Sequence, residues 1–339
     1  MVPDRKLSPS IKILLTVLFA VIFSFTCYGV FITAFVDPWL ENNQRELCIL
    51  NFYSEKNNTT APEIYFIGTS QVKEGIDCYI IEDYLNISKI SYAGYNLAVE
   101  ADSPLRRLTE LDPIIKSKPE IVIIGVQIRD IYKNSDIQDS RLMLLSNKIT
   151  LDNTSAELFD AKELGLLNLD PVTKVTSKRI YIVSFFNYLT LNKIFPNSMA
   201  DYEYRKNFKN PYRNVENLSI NEKIDILNHD ETLNDTLFLE YYGSSTNKLA
   251  LRHIVQELQK NNITVIIISM PSDPLKSTYI SNATRNNYFA YLDSLNVPYY
   301  DFENRYPSSY FHDLTHMNEQ GRTSFSRDIA GIIIRQVGI

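Results

Sequence analysis

From Ile13 to Val36 the chain runs for 24 residues without a charge, about 36 Å as a helix at ~1.5 Å per residue and enough to cross a hydrocarbon core of about 30 Å. Beyond it, apolar residues fall into short runs separated by helix-patterned stretches. Ile64-Tyr65-Phe66-Ile67, Lys89-Ile90-Ser91-Tyr92, Ile121-Val122-Ile123-Ile124 and Thr264-Val265-Ile266-Ile267-Ile268 read as strands, with Pro298-Tyr299-Tyr300 as a last short one. Continuous apolar runs of this kind suit a parallel sheet buried on both faces. Helices are predicted over 104–116, 246–260, 278–295 and 318–334. In the second of these, Leu249, Leu251, Ile254, Val255 and Leu258 recur at near-helical spacing, leaving Arg252, Gln256 and Gln259 for solvent. Strands alternating with helices predict an α/β domain that begins near Pro62.

This pattern divides the chain into four segments: a tail over 1–10, a transmembrane anchor over 11–36, a polar stalk over 37–61, and the α/β domain over 62–339. Residues 131–245 fit the alternation poorly, with an aromatic cluster at Tyr181 to Tyr188 and a Tyr/Asn-rich stretch at Tyr202 to Asn217. They read as a partly helical insertion over the carboxyl edge of the sheet, where ligands of parallel sheets bind. Extra packing with no ligand role is the competing reading of this insertion.

Charge orients the anchor. Arg5, Lys6 and Lys12 precede it while Asp37 and Glu41 come after, so the positive-inside bias puts the N-terminus in the cytoplasm and the domain outside. A cleaved signal peptide is the rival reading, but its apolar core usually spans ~7–15 residues, and no small-x-small site comes after this one. Trp39, the only tryptophan, is expected at the outer interface, where an amphipathic indole is favoured. The whole chain carries 34 basic and 40 acidic side chains, a net charge of −6 that argues against a nucleic-acid partner. Eight Asn-x-Ser/Thr sequons, beginning at Asn57, Asn58, Asn86, Asn153, Asn217, Asn234, Asn262 and Asn282, permit glycosylation of an external domain. Cys27 lies in the anchor; Cys48 and Cys78 are free to pair in an oxidising compartment. No cysteine–histidine spacing points to zinc, and no cofactor or metal is expected.

Two short motifs carry candidate chemistry. Gly68-Thr69-Ser70 leaves the first predicted strand, and a serine on such a turn exposes its hydroxyl at the sheet edge with backbone N–H groups nearby. By itself this is also an ordinary strand-ending turn. Asp313-Leu314-Thr315-His316 lies 243 positions after Ser70, counted to Asp313. Its spacing of three lets Asp313 hold one ring nitrogen of His316 while the other faces the serine. Asn318 is placed to cap the last helix. With those roles unfilled, Asp313 and Asn318 would be simple caps and His316 a surface residue.

Taken together these motifs resemble the SGNH/GDSL hydrolase superfamily, in particular its membrane-anchored branch, which includes D-alanyl transfer proteins of lipoteichoic-acid synthesis and polysaccharide O-acetylation proteins. The resemblance covers about 62–130 and 262–335. It implies a three-layer flavodoxin-like domain with Ser70 as nucleophile and Asp313 and His316 completing a triad. The family's second block, Asn-x-Gly-x-x-Gly, stands here as Asn96-Leu97-Ala98-Val99-Glu100-Ala101, with Ala101 at the position whose backbone N–H faces the oxyanion. Its third block, Gly-x-Asn-Asp, stands as Gly125-Val126-Gln127, where Gln127 takes the place of the donating Asn. The implied oxyanion hole is therefore the Ser70 and Ala101 N–H groups with the Gln127 amide.

This resemblance implies a serine acyl esterase or O-acyltransferase, and location adds an envelope polysaccharide or lipid-linked acyl substrate, with a membrane-embedded acyltransferase as partner. A non-catalytic glycan-binding or assembly protein on the same scaffold is the alternative. Among other polar residues, Arg106-Arg107 is expected on a solvated helix face, with anion binding as the competing role. Asp130 is placed at a strand-end loop, His312 is a rival base, and tyrosines near Tyr202 and Tyr241 are candidates for stacking on sugar rings.

Overall fold

The computed structural model describes residues 8–55, 61–132, 137–170, 173, 178–194, 206–213, 215–229 and 245–337. Tyr202, Tyr204, Tyr241 and Tyr242, the sequons at Asn57, Asn58 and Asn234, and the basic residues Arg5 and Lys6 lie outside them.

Five parallel strands, β1 (Glu63–Gly68), β2 (Ala93–Asn96), β3 (Ile121–Val126), β4 (Thr264–Ser269) and β5 (Tyr299–Asp301), form one sheet in the order β2-β1-β3-β4-β5. This is the flavodoxin-like doubly wound order, whose topological switch point lies between β1 and β3. Alternate residues feed opposite layers, as the two-residue strand period requires. Tyr65, Ile67, Val122, Ile124, Val265 and Ile267 pack with the helices Thr246–Lys260 and Asn282–Asp293. Ile64, Phe66, Ile121, Ile123, Ile266 and Ile268 pack against the opposite helices, Cys78–Ile87 and Glu319–Gln336. The apolar runs are continuous because both faces are covered.

Several expectations shift. The strand predicted at 89–92 begins at Ala93, because Lys89 takes a left-handed turn (φ 60°) and Ile90 still donates to Leu85 O at 2.9 Å, closing the preceding helix. The 104–116 helix breaks into Pro104–Arg107, a 3-10 turn over Leu108–Glu110, and Leu111–Ser117. Pro113 accounts for the break, since it has no N–H and its ring crowds the carbonyl four residues back. Helix 278–295 contracts to Asn282–Asp293. In Thr246–Lys260, Leu249 is exposed while Ala250, Leu251, Ile254, Val255 and Leu258 are buried. Two residues at about 100° each put Leu249 nearly opposite Leu251.

The anchor and the segment just after it differ most from expectation. Helix α1 (Pro9–Phe31) continues through one π-helical segment, Ile32–Val36, into α2 (Asp37–Asn43). The continuous 35-residue helix Pro9–Asn43 is long and apolar enough to cross a membrane, and its most apolar window is 0% buried. Residues 37–55 form no stalk. Helices α2 and α3 (Arg45–Glu55) bury Trp39, Leu40, Leu47, Ile49 and Tyr53 in the same core as one face of the sheet. Glu41 and Asn42 look outward on the rim of α2, which is why this segment reads as polar. Trp39 lies beneath the insertion helix Arg179–Ile194, edge-on to Phe185 with ring centroids 5.6 Å apart, rather than at an open interface.

Cys48 and Cys78 are free thiols buried in different helices. The Cys48 thiol reaches Glu41 O at 3.5 Å, and burial pushes the Cys78 thiol pKa up.

Candidate active site

The serine turn is built by packing. Gly68 has φ 146°, and a Cβ there would lie 2.5 Å from Gly125 O and 2.6 Å from Val72 Cγ2. Only glycine permits this approach of β1 to β3. Thr69 then caps the short helix Ser70–Gly75, its hydroxyl accepting from Gln71 N at 3.4 Å. Asn96, fully buried at the end of β2, donates from Nδ2 to the carbonyls of Val72, Lys73 and Ile76 at 3.0 to 3.1 Å. Its Oδ1 accepts from Ala98 N at 3.3 Å. One amide thus fixes the serine helix to the β2 loop. Arg45 of α3 supports the same loop from below, donating to Ala98 O and Asn96 O at 2.6 Å each.

The distant Asp-x-x-His returns to that turn. Ser70 Oγ and His316 Nε2 are 2.7 Å apart, and His316 Nδ1 and Asp313 Oδ2 are also 2.7 Å apart. Asp313 Oδ1 accepts from the backbone N–H groups of Thr315 and His316 at 2.7 and 2.6 Å. Gln71 donates to Thr315 O at 2.9 Å and to Pro271 O at 3.2 Å, tying the two motifs together. Burial would lower the His316 pKa, but the hydrogen bond and charge of Asp313, with the charge of Glu74, outweigh it and raise it above the ordinary value. Burial opposes ionisation of Asp313, yet its hydrogen bonds and the His316 partner hold its carboxyl well below the usual range.

Ser70, Ala101, Gln127 and His316 line one cavity of about 420 Å³ at the carboxyl edge of the sheet. No described group accepts from the N–H of Ser70 or of Ala101. Ala101 adopts φ 46°, so the turn does require the left-handed region that glycine would take more readily. Its carbonyl accepts from Arg141 Nη1 at 2.9 Å. The Gln127 Oε1 accepts from Lys276 Nζ at 3.4 Å, which leaves its N–H₂ as the end with no acceptor among the described residues.

Asp130 lines this cavity as well, taking the Gln127 N–H at 3.0 Å. Burial pushes its pKa up to about 7, against the pull of that hydrogen bond and the Lys276 charge. Arg129, Arg141 and Lys276 add positive charge around the opening. The insertion contributes Ile137, Gln138 and Arg141 to the wall, and Ile226 to an adjoining cavity of about 280 Å³ that shares Gln127, Arg129, Lys276 and Thr315.

Arg106 and Arg107 are buried, not solvated. They form a closed set of ion pairs with Asp102 and Glu110, Arg106 lying 3.2 Å from Asp102 and 2.5 Å from Glu110. That pairing compensates both charges, with Arg106 still reaching the wall of the Ser70 cavity.

His312 lies parallel to His316, ring centroids 5.6 Å apart, but turns its Nε2 to Glu74 Oε2 at 3.3 Å and not to Ser70. Among the described residues, Glu74, His312 and His316 are the group that could hold a metal ion, with ligand atoms within 4.8 Å of one another. Both nitrogens of His316 are already engaged by Ser70 and Asp313, so a metal there would have to displace one of those two contacts.

Sequence reasoning did not find Asn96's bridging role, Arg45, Glu74 or Lys276. Lys276 had a usable signal: it comes after Asp273-Pro274 on the turn leaving β4, at the same sheet edge as Ser70.

No curated protein matches the chain. A protein-family model matches residues 184–338. The fold is similar to a GDSL-like lipase from Bacteroides thetaiotaomicron, at 11% identity and a TM-score of 0.37, over 85% of this chain and 95% of that one. It is similar to a psychrotrophic esterase from Pseudoalteromonas sp., at 10% identity and a TM-score of 0.37, over 82% and 99%. A catalytic mutant of an acetylxylan esterase from Geobacillus stearothermophilus is similar at 13% identity and a TM-score of 0.38, over 84% and 97%. At these scores and identities, any reading of the chemistry rests on the chain's own geometry.

Proposed function

We propose that this chain is a membrane-anchored, SGNH-type serine acyl esterase or O-acyltransferase that acts outside the cell on an envelope glycan or lipid-linked ester. The observation that carries this reading is the unbroken relay from Ser70 Oγ through His316 to Asp313, two contacts of 2.7 Å opening on a cavity. The charges flanking the anchor support the external placement.

In this reading His316 Nε2 takes the Ser70 proton as Oγ attacks the ester carbonyl, while Asp313 fixes the Nδ1–H tautomer and stabilises the imidazolium. The developing oxyanion is received by the N–H groups of Ser70 and Ala101 and the Gln127 amide. His316 then protonates the departing alkoxide, leaving an acyl-Ser70 ester. Water or a sugar hydroxyl, deprotonated by the same imidazole, attacks that ester and releases Ser70. Water gives hydrolysis and a sugar gives transfer.

Labelling of the purified full-length chain by a serine-directed fluorophosphonate tests the assignment. Label on the wild type and none on folded Ser70→Ala is expected. Equal labelling of both would remove Ser70 from the role. Non-catalytic glycan binding is the second reading, favoured by Lys276 holding the Gln127 amide and by Ala101 in a glycine conformation. Its signature is saturable glycan binding that survives loss of both Ser70 and His316, without turnover of acetyl esters.

A further inference from the structure

The insertion helix Arg179–Ile194 carries charge only near its ends, at Arg179 and Lys193; residues 180–192 are uncharged. Its inner side buries Phe185, which meets Trp39 at 5.6 Å and Phe31 at 6.0 Å between ring centroids. Its outer side is nevertheless apolar too: Ile180, Val183, Phe186 and Leu189 are 47%, 67%, 50% and 41% exposed. The exposed polar residues between them, Ser184, Asn187 and Thr190, are all neutral. A helix with apolar residues all round belongs in a core or in lipid, not in water, and this one is uncovered on its outer side among the described residues.

Its position decides what covers it. Phe186 stacks on Phe31, ring planes 13° apart at 6.0 Å, and Phe31 is the last residue of α1. Val30 and Phe35, flanking that contact on the same continuous helix, are 59% and 57% exposed. If α1 crosses the bilayer, those side chains face lipid, and a helix stacked ring to ring on Phe31 lies at their depth. Thirteen uncharged residues span only about 20 Å as a helix, too short to cross a core of about 30 Å. The arrangement that keeps Val183 and Phe186 at the depth of Phe31 is a helix lying along the membrane interface.

We propose that the Arg179–Ile194 helix is a second membrane contact, inserted through Ile180, Val183 and Phe186 into the leaflet on the domain's side and fixing the domain's orientation beside its anchor. This contact depends on α1 spanning the bilayer and is independent of the chemistry proposed for Ser70.

The test uses the full-length chain with Cys27→Ser, reconstituted in phosphatidylcholine nanodiscs. Cys48 and Cys78 are buried. An environment-sensitive fluorophore is placed in separate variants at Val183→Cys, Ile180→Cys, Val21→Cys in the anchor, and Leu249→Cys on the helix Thr246–Lys260. Blue-shifted emission at 180 and 183, quenched severalfold more by spin-labelled lipid than by iodide, is expected, with position 249 showing the reverse. Quenching by iodide at 180 and 183 overturns the proposal. Protection there from both quenchers also overturns it, because the face would then be covered by protein. A Val21 probe untouched by lipid quencher would instead overturn the anchor.

Discussion

On one side of Ser70 the contacts are short and complete: hydroxyl, imidazole and carboxylate are joined at 2.7 Å each, and the carboxylate's other oxygen is held by two backbone N–H groups. On the other side, Ala101 and Gln127 line the same cavity with donors that no described group satisfies, one on a strained turn and one beside a lysine. Under the proposed function the first side is the base, preorganised by the protein itself, and the second is the oxyanion side, whose donors await a ligand oxygen. Electrostatic stabilisation depends on donors fixed in advance, so the two sides should respond very differently to substitution.

The sharpest break comes at the base. His316→Ala should reduce the rate of fluorophosphonate labelling or ester turnover by on the order of 10⁵–10⁶, since triad members act as a unit. His312→Gln should cost less than about tenfold, because its ring faces Glu74; a comparison in which His312 proves the more costly would reverse the base assignment. Asp313→Asn should cost on the order of 10⁴ through loss of the tautomer and charge.

The same substitution has a pH signature. Only neutral His316 can accept the Ser70 proton, so activity falls as pH drops through its pKa. That pKa is raised, which puts the midpoint above the ordinary value of about 6.5. Asp313→Asn takes away the charge-assisted hydrogen bond and the charge of Asp313 that together raise it, so the midpoint in that variant should move to lower pH. A pH–rate profile measures it; an unchanged midpoint would break the link between Asp313 and His316.

Smaller effects sharpen the oxyanion side. Gln127→Ala should lower turnover about 10²-fold if its amide meets the oxyanion, with KM nearly unchanged. A pure KM effect would instead make Gln127 a binding residue. Gly68→Ala tests the scaffold under both sides: strain at φ 146° and a 2.5 Å approach to Gly125 O should cost about 2–4 kcal/mol in denaturant unfolding. Ala101→Gly should change stability by less than about 1 kcal/mol, because relief of the left-handed strain is offset by the freer unfolded chain.

The two motifs that meet at Ser70 were each legible in sequence because each is local: Gly68-Thr69-Ser70 leaves a strand, and Asp313 lies within reach of His316 three residues later. Asn96 could not be read the same way. Its amide bridges carbonyls at 72, 73 and 76, a match between two loops that no spacing reports. Arg106 and Arg107 looked solvated because their partner carboxylates are recognisable only when the turn at Asp102 and the buried Glu110 are seen together.

By itself the sequence determined a long uncharged helix, buried parallel strands and a serine with an Asp-x-x-His far downstream, because hydrophobic period and turn chemistry act over a few residues. Tertiary structure alone decided that residues 37–55 join the core, that Trp39 is covered by Arg179–Ile194, and that Asn96 ties the serine helix to the β2 loop. Those outcomes depend on side chains far apart in the chain sharing one packed interior, where geometry rather than local preference selects the partner.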